Sequence, residues 1–338
     1  MSSLPRPLVH DCDPGTDDAV ALLLALNSPE LDLLAVSTTH GNVALQSTTR
    51  NTLELLSFAG HAHIPVYAGA EGPLVRHAVY APEIHGRGGL GGVTLPEING
   101  TGVGGQPQPL HAALALLELA DRHGDSLSIC ATGPLSNLAL AERLRPGFLK
   151  GLREVVVMGG SLALDLPRPT FLERLNHSVK AGRTEVPGPR LGNVTALAEF
   201  NAYADPHALR VVLESGANIV LFGLNLTRQV RVTRERVAAL EACGSAAASL
   251  TASMLGGYLD MIERQGQKIG ALHDPCTVAY LIRPGLFRLE AARVHVVTDE
   301  GEESGMTTRV EGEANVQLAT WADEDGVYRL LPERLGRK

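Results

Sequence analysis

Among the 338 residues no apolar run reaches the roughly 18 that a membrane-spanning helix needs, so no membrane partner is expected. Aromatic residues are scarce, at 4%, with Trp321 the single tryptophan, and the net charge is −8 with no basic run. A stacking platform or cationic groove for nucleic acid is thereby excluded. The four cysteines, Cys12, Cys130, Cys243 and Cys276, form no C-x-x-C pair. That speaks against a zinc site and against a disulfide framework. Met1-Ser-Ser-Leu-Pro-Arg-Pro holds no apolar signal core, so a cytoplasmic, reduced protein is expected, in which the sequons at Asn193 and Asn225 carry no meaning. The phosphate loop G-x-x-x-x-G-K-[ST] and the G-x-S-x-G elbow are also missing. Gly86-Arg-Gly88-Gly-Leu-Gly91 matches G-x-G-x-x-G but neither follows a strand nor opens a helix. It reads as a glycine-rich flap, not a dinucleotide site.

What the chain does hold is a dense acidic cluster, Asp11-Cys-Asp13-Pro-Gly-Thr-Asp17-Asp18, between a short apolar segment and the helix-like run Ala19–Leu26. Carboxylates this close repel one another unless a cation sits among them, and calcium or magnesium takes such hard oxygen ligands. Asp17 and Asp18 also suit a helix N-terminus. An EF-hand loop starting at Asp11 fails, because Gly15 and Leu22 stand where ligands are required. A phosphohydrolase of the haloacid-dehalogenase type, with Asp11 as nucleophile, is the enzymatic rival, although Gly15 replaces the residue that motif expects.

Along the chain β-like and helix-like runs alternate. Strands are expected over 8–11, 31–39, 64–68, 127–131, 154–158 and 218–224. Helices are expected over 17–26, 45–59, 110–123, 134–143, 206–215, 234–243, 245–265 and 275–282. Segments 293–298, 307–310 and 314–320 look β-like, and a last helix follows Glu324. This alternation predicts an α/β fold with an open, mostly parallel sheet flanked by helices, plus extra helices and a small C-terminal β-containing segment. With no repeat and no linker, residues 1–338 read as one domain. Ligands of such sheets bind beyond the carboxyl ends of the strands, where Asp11 and Asp13, His40-Gly41-Asn42, Thr132-Gly133-Pro134, Met158-Gly159-Gly160 and Asn225-Leu226-Thr227 all fall.

The cluster resembles the N-terminal signature of the nucleoside hydrolases, in particular the inosine-uridine preferring group. Further blocks carry the likeness: Gly41-Asn42, Ile84-His85-Gly86, Ala131–Asn137, Met158-Gly159-Gly160, Asn193, Ala198-Glu199-Phe200-Asn201 with Asp205-Pro206, and His273-Asp274-Pro275-Cys276. The resemblance spans about residues 8 to 283. It implies a Rossmann-like hydrolase that cleaves the N-glycosidic bond of purine or pyrimidine ribonucleosides around a bound Ca2+. By the same resemblance Asp13 is general base and calcium ligand, with Asp18, the Thr132 carbonyl and Asp274 completing the site. Asp17, Asn42, Met158, Asn193, Glu199, Asn201 and Asp274 would bind ribose. His273 would protonate the leaving base, His85 would approach it from the flap, and Asp11 would orient the cluster from behind. The family is often oligomeric, so a homo-oligomer, dimer or tetramer, is implied. A catalytically dead nucleoside-binding protein is the alternative from another class, and the completeness of the residue set speaks against it.

Two features depart from the family. A long insertion at about 161–192 separates Met158-Gly159-Gly160 from Asn193, at the edge of the expected ribose pocket. Trp321 lies far from the motifs, so a sandwich of indoles around a purine is not expected. Tyr258 and His273 remain for the base, which favours a nonspecific or pyrimidine-preferring enzyme.

Overall fold

In the computed structural model, residues 4–81, 84, 86, 88–95, 105–162, 191–264, 266 and 270–337 are described. Residues 163–190 of the insertion, and His85, lie outside them. The chain begins β1 (Arg6–Cys12), α1 (Thr16–Leu26), β2 (Leu31–Thr38), α2 (Leu45–Phe58), β3 (Val66–Ala68). It continues α3 (Ala112–His123), β4 (Ser128–Ala131), α4 (Ser136–Leu144), β5 (Glu154–Met158). After the insertion come α5 (Phe200–Ala204), α6 (Pro206–Leu213), β6 (Ile219–Phe222), α7 (Leu224–Thr227), β7 (Arg231–Val232), α8 (Arg234–Glu241), α9 (Ala246–Arg264), β8 (Gly270–Ala271) and α10 (Pro275–Ile282). The last elements are β9 (Phe287–Val296), β10 (Thr307–Val310), β11 (Val316–Ala322) and α11 (Glu324–Leu335).

Nine strands form one sheet in the order β10-β9-β11-β6-β5-β4-β1-β2-β3. The run from β11 to β3 is parallel, and β9 is antiparallel to both of its neighbours. The expected C-terminal β-containing segment is β9, β10 and β11, which extend the main sheet at one edge.

Successive residues of a strand point to opposite faces, and the core divides accordingly. Leu8, Cys130, Val156 and Val220 pack with α1, α9, α10 and α11 on one face. Val9, Ile129, Val155, Val157, Ile219 and Leu221 pack with α3, α4 and α6 on the other. With both faces covered, β4, β5 and β6 are buried along their whole length, which is why they read as unbroken apolar runs. α1 is buried on nearly all sides, so it too is apolar all round after its acidic first turn.

Local differences from the sequence reading have identifiable causes. β9 starts at Phe287, well before residue 293, because the helix-favouring stretch Glu290-Ala-Ala-Arg293 is captured by pairing with β11. Gly223 ends β6, and the next residues turn into the short α7. α5 has only five residues and is nucleated by its cap, Glu199, whose carboxylate accepts from the backbone N–H groups of Asn201 and Ala202. Among the described residues no helix is long and apolar enough to cross a membrane.

Candidate active site

The parallel strands deliver their carboxyl ends to one edge of the sheet. β1 leads into Asp13, β2 into His40-Gly41-Asn42, β4 into Thr132, β5 ends on Met158, and β6 passes through Gly223 to Thr227. Segment 192–201 and the turn His273-Asp274 join them around a cavity of about 520 Å³. Asp17, Asn42, Thr132 and Met158 line it, as do Asn193, Glu199, Asn201, His273 and Asp274. Thus the insertion does not separate the ribose-binding candidates on either side of it. Ile84 reaches the wall, whereas the neighbouring His85 is outside the described residues.

Asp13 and Asp18 are fully buried at this edge. The backbone N–H of Asn42 donates to Asp13 Oδ2 at 2.6 Å, and its Nδ2 donates to Asp18 Oδ2 at 2.9 Å. Asp18 is the third residue of α1, and its carboxylate also accepts from the N–H groups of Asp13 and Gly15, fixing the helix start. Thr132 Oγ1 donates to Asp18 Oδ1 at 2.7 Å. The backbone must come close: a Cβ on Gly41 would fall 1.9 Å from Asp13 Oδ2, and one on Gly133 2.7 Å from Asp13 Oδ1. Only glycine fits at either place.

Asn201 uses both protons of Nδ2, one toward the Thr132 carbonyl at 2.6 Å and one toward the Met158 carbonyl at 3.1 Å. Met158 therefore belongs to the site through its backbone as well as its side chain. Glu199 accepts from the N–H groups of Gly160, Asn201 and Ala202. His273 Nδ1 and Thr227 Oγ1 are 2.8 Å apart, which orients the imidazole at the cavity wall.

Asp11 is placed differently. It is fully buried and absent from the cavity wall, and its Oδ1 accepts from Ser37 Oγ and from Asn137 Nδ2. Asp13 and Asp18 are likewise fully buried and outside the wall, so burial does not separate the three; Asp11 differs in bonding to Ser37 and Asn137, whereas Asp13 and Asp18 are bonded by the Asn42 turn. Burial raises the Asp11 pKa to about 6, against the opposing effect of its bonds to Ser37 and Asn137.

The electrostatics are those of crowded, desolvated anions. Burial, then the charge of Asp18, pushes the Asp13 carboxyl well above the usual range. Burial, then Asp17, Asp18 and Asp13, does the same to Asp274. Asp18 rises to about 6 through burial and Asp17, and Glu199 to about 7 chiefly through burial. Such a set is relieved by a cation. Ligand oxygens of Asp17, Asp18 and Asp274 lie within 4.8 Å of one another, so these residues can hold a metal ion. Asp13 Oδ1 is buried with no hydrogen-bond partner among the described residues, an atom that a hard cation would satisfy. An all-oxygen donor set of this kind suits a hard divalent cation.

Several wall residues carry no motif. Leu255, Tyr258 and Ile262 of α9 face the cavity at helical spacing, and Arg228 and Arg231 stand at its rim. The apolar period of α9 is the one sequence signal that pointed to its inward face. Tyr258 Oη accepts from the Ala271 N–H at 3.3 Å. Trp321 is on β11, away from the cavity and stacked with the Arg288 guanidinium.

The sequence matches the inosine-uridine preferring nucleoside hydrolase family over residues 8–329. It is 34% identical over 338 residues to a pyrimidine-specific ribonucleoside hydrolase of Enterobacter sp., covering 98% of each chain. The fold is similar to that of a plant nucleoside hydrolase, with a TM-score of 0.83 and 29% identity over 99% of this chain and 100% of that one. It is equally similar, at TM-score 0.83, to a purine-preferring ribonucleoside hydrolase from Gardnerella vaginalis, with 25% identity over 98% of each.

Proposed function

This chain belongs to the inosine-uridine preferring nucleoside hydrolase family and is a ribonucleoside hydrolase, and we propose how its site divides the work and which base it prefers. One observation carries the reading: Asp13, Asp17, Asp18 and Asp274, with no ion-pair partner among the described residues, gather beside a nucleoside-sized cavity that also presents His273.

Breaking the bond between ribose C1′ and the base nitrogen leaves positive charge on the ribose ring, as in glycoside hydrolysis. Preorganised carboxylates stabilise that charge. Asp13, Asp18, Asp274 and the Thr132 carbonyl would hold calcium; that carbonyl keeps a second lone pair besides the one taken by Asn201. When bound, the ion polarises water and the ribose hydroxyls as a Lewis acid. Asp13 accepts the proton of the attacking water as its oxygen bonds to C1′. Asp17, Asn42, Asn193, Glu199 and Asn201, with Met158, bind the ribose hydroxyls, each of which needs a partner once desolvated. His273, held by Thr227, donates a proton to the departing nitrogen, with His85 assisting from the flap.

The base preference we propose is for pyrimidines. Tyr258 and His273 line the cavity and Trp321 does not, which leaves those two rings as candidates to contact the base, and the Enterobacter relative is named for pyrimidines. The chain acts as a single domain with 161–192 as an insertion, in a homo-oligomer, and the buried free thiols Cys12, Cys130 and Cys276 accord with a reducing cytoplasm. A ribose-release assay tests the reading. Uridine and cytidine should be cleaved faster than inosine, and a chelator should abolish turnover until calcium is restored. Turnover that is insensitive to the chelator would remove the metal from the account, and faster cleavage of inosine would reverse the preference.

A further inference from the structure

Three site segments meet behind the cavity at one hydroxyl, that of Ser136, the first residue of α4. His40 Nε2 lies 3.0 Å from Ser136 Oγ, and Ser136 Oγ donates to Asp205 Oδ2 at 2.7 Å. All three residues are fully buried and none lines the cavity. The serine has one proton and gives it to the carboxylate, so it accepts from His40 Nε2–H. That fixes the tautomer and leaves Nδ1 bare, in agreement with its having no hydrogen-bond partner among the described residues. Burial lowers the imidazole pKa to about 4, against the raising effect of Asp205, so the ring is neutral.

The order of these groups rules out a nucleophilic triad. There the base accepts the serine proton; here the serine proton is committed to the carboxylate. What the relay can do is set positions. His40 directly precedes Gly41-Asn42, whose backbone presses against Asp13 and whose amide groups bind Asp13 and Asp18. Ser136 follows the Thr132-Gly133-Pro134 turn, and a Cβ on Gly41 would meet Pro134 at 2.9 Å. Asp205 ends α5, the helix that starts beside Glu199 and carries Asn201, and its Oδ1 caps α6 through the Ala208 N–H. Asp205 Oδ2 also accepts from the Leu74 N–H, in the segment leading to Ala81, whose N–H donates to the Asn42 carbonyl.

We propose that His40, Ser136 and Asp205 form a buried positioning relay that locks the Asn42 turn, the Thr132 turn and the Glu199–Asn201 segment into one register, and so aims Asp13 and Asp18. The inference rests on the roles given above to Asp13 and Asp18. Groups one step behind a metal site or catalytic base act through orientation, and their loss costs about 10- to 100-fold in metal affinity or activity.

The test uses the full chain with three variants, Ser136→Ala, His40→Leu and His40→Gln, the last retaining an N–H at a similar reach. Ser136→Ala and His40→Leu should each lower kcat on uridine about 10- to 100-fold, with a smaller change in KM, and weaken calcium binding measured by calorimetry. His40→Gln should recover most of both losses, and the double variant His40→Leu/Ser136→Ala should be no worse than either single one, because one relay is lost once. A drop in Tm with kcat and calcium affinity unchanged would overturn the relay, as would additive losses in the double variant. Wild-type protein run in parallel separates the two claims. If it releases no ribose or binds no calcium, the parent reading fails; if it does both and the variants match it, only the relay fails.

Discussion

Glu199, at the carboxylate-lined cavity, and Glu324, at the start of α11, carry the same side chain under opposite electrostatics. Glu199 is buried, bonded only to backbone N–H groups, and its pKa is raised to about 7, mainly by burial. Glu324 faces the Arg231 and Arg236 guanidinium groups at 2.9 and 2.6 Å, and hydrogen bonding from Arg231 first lowers its pKa to about 2. The same contrast holds regionally. Arg234 is matched by Asp260 and Glu263 on α9, while the chief charges acting on Asp274 are other carboxylates. Around Glu324 and Arg234 the acids are matched by guanidinium groups, whereas Asp13, Asp18, Asp274 and Glu199 at the cavity have no ion-pair partner among the described residues. Uncompensated buried charge costs stability. Its retention around one cavity marks the place where positive charge, from a cation and from a ribose ring losing its base, is to be received.

The comparison can be broken most severely at Asp13. Asp13→Asn keeps the volume and the acceptor for the Asn42 N–H but removes the base. Loss of a general base costs about 10²- to 10⁴-fold, so kcat for ribose release from uridine should fall by that factor while circular dichroism is unchanged. Activity near wild type would remove Asp13 from the role of base.

Proton linkage sharpens the contrast with a smaller effect. A raised folded-state pKa stabilises the fold below the unfolded value and loses that contribution as pH rises. For Glu199 the window runs upward from the ordinary value of 4.5 through about 7. For Glu324 the sign reverses: its contribution is present above 4.5 and lost as pH falls toward about 2. Thermal unfolding of the metal-stripped protein against pH should therefore show a loss of Tm between about pH 4.5 and 7 that Glu199→Gln flattens. Glu324→Gln should leave that limb alone and flatten only the acid one, and by less, because its partner Arg231 is exposed and such pairs contribute little. Parallel pH profiles for wild type and Glu199→Gln would contradict the first assignment.

The sequence exposed the strands that lie under helices on both faces, since Val155-Val156-Val157 and Ile129 need no alternation to be recognised. It also exposed the site residues that end those strands, because Asp13, Asn42, Thr132 and Met158 follow apolar runs at the edge where such sheets bind ligands. It hid what depends on distant pairing. Glu290-Ala-Ala-Arg293 has helical propensity and becomes strand only against β11. α5 is too short to show a period and owes its start to the Glu199 cap. The supporting groups were equally invisible: Asn137 holds Asp11 across 126 residues, and His40 meets Ser136 across 96, contacts for which no local pattern exists.

The central claim, that the buried carboxylates are left bare in order to hold a cation, is tested most directly by calorimetric titration of the metal-stripped protein with calcium, wild type beside Asp274→Asn. The account predicts one site per chain in the wild type and affinity lowered by at least about tenfold in the variant. It also predicts that Asp274→Asn without metal is no less stable than wild type, since the substitution removes a repelled charge. Equal calcium binding by the two proteins, or none by the wild type, would contradict it.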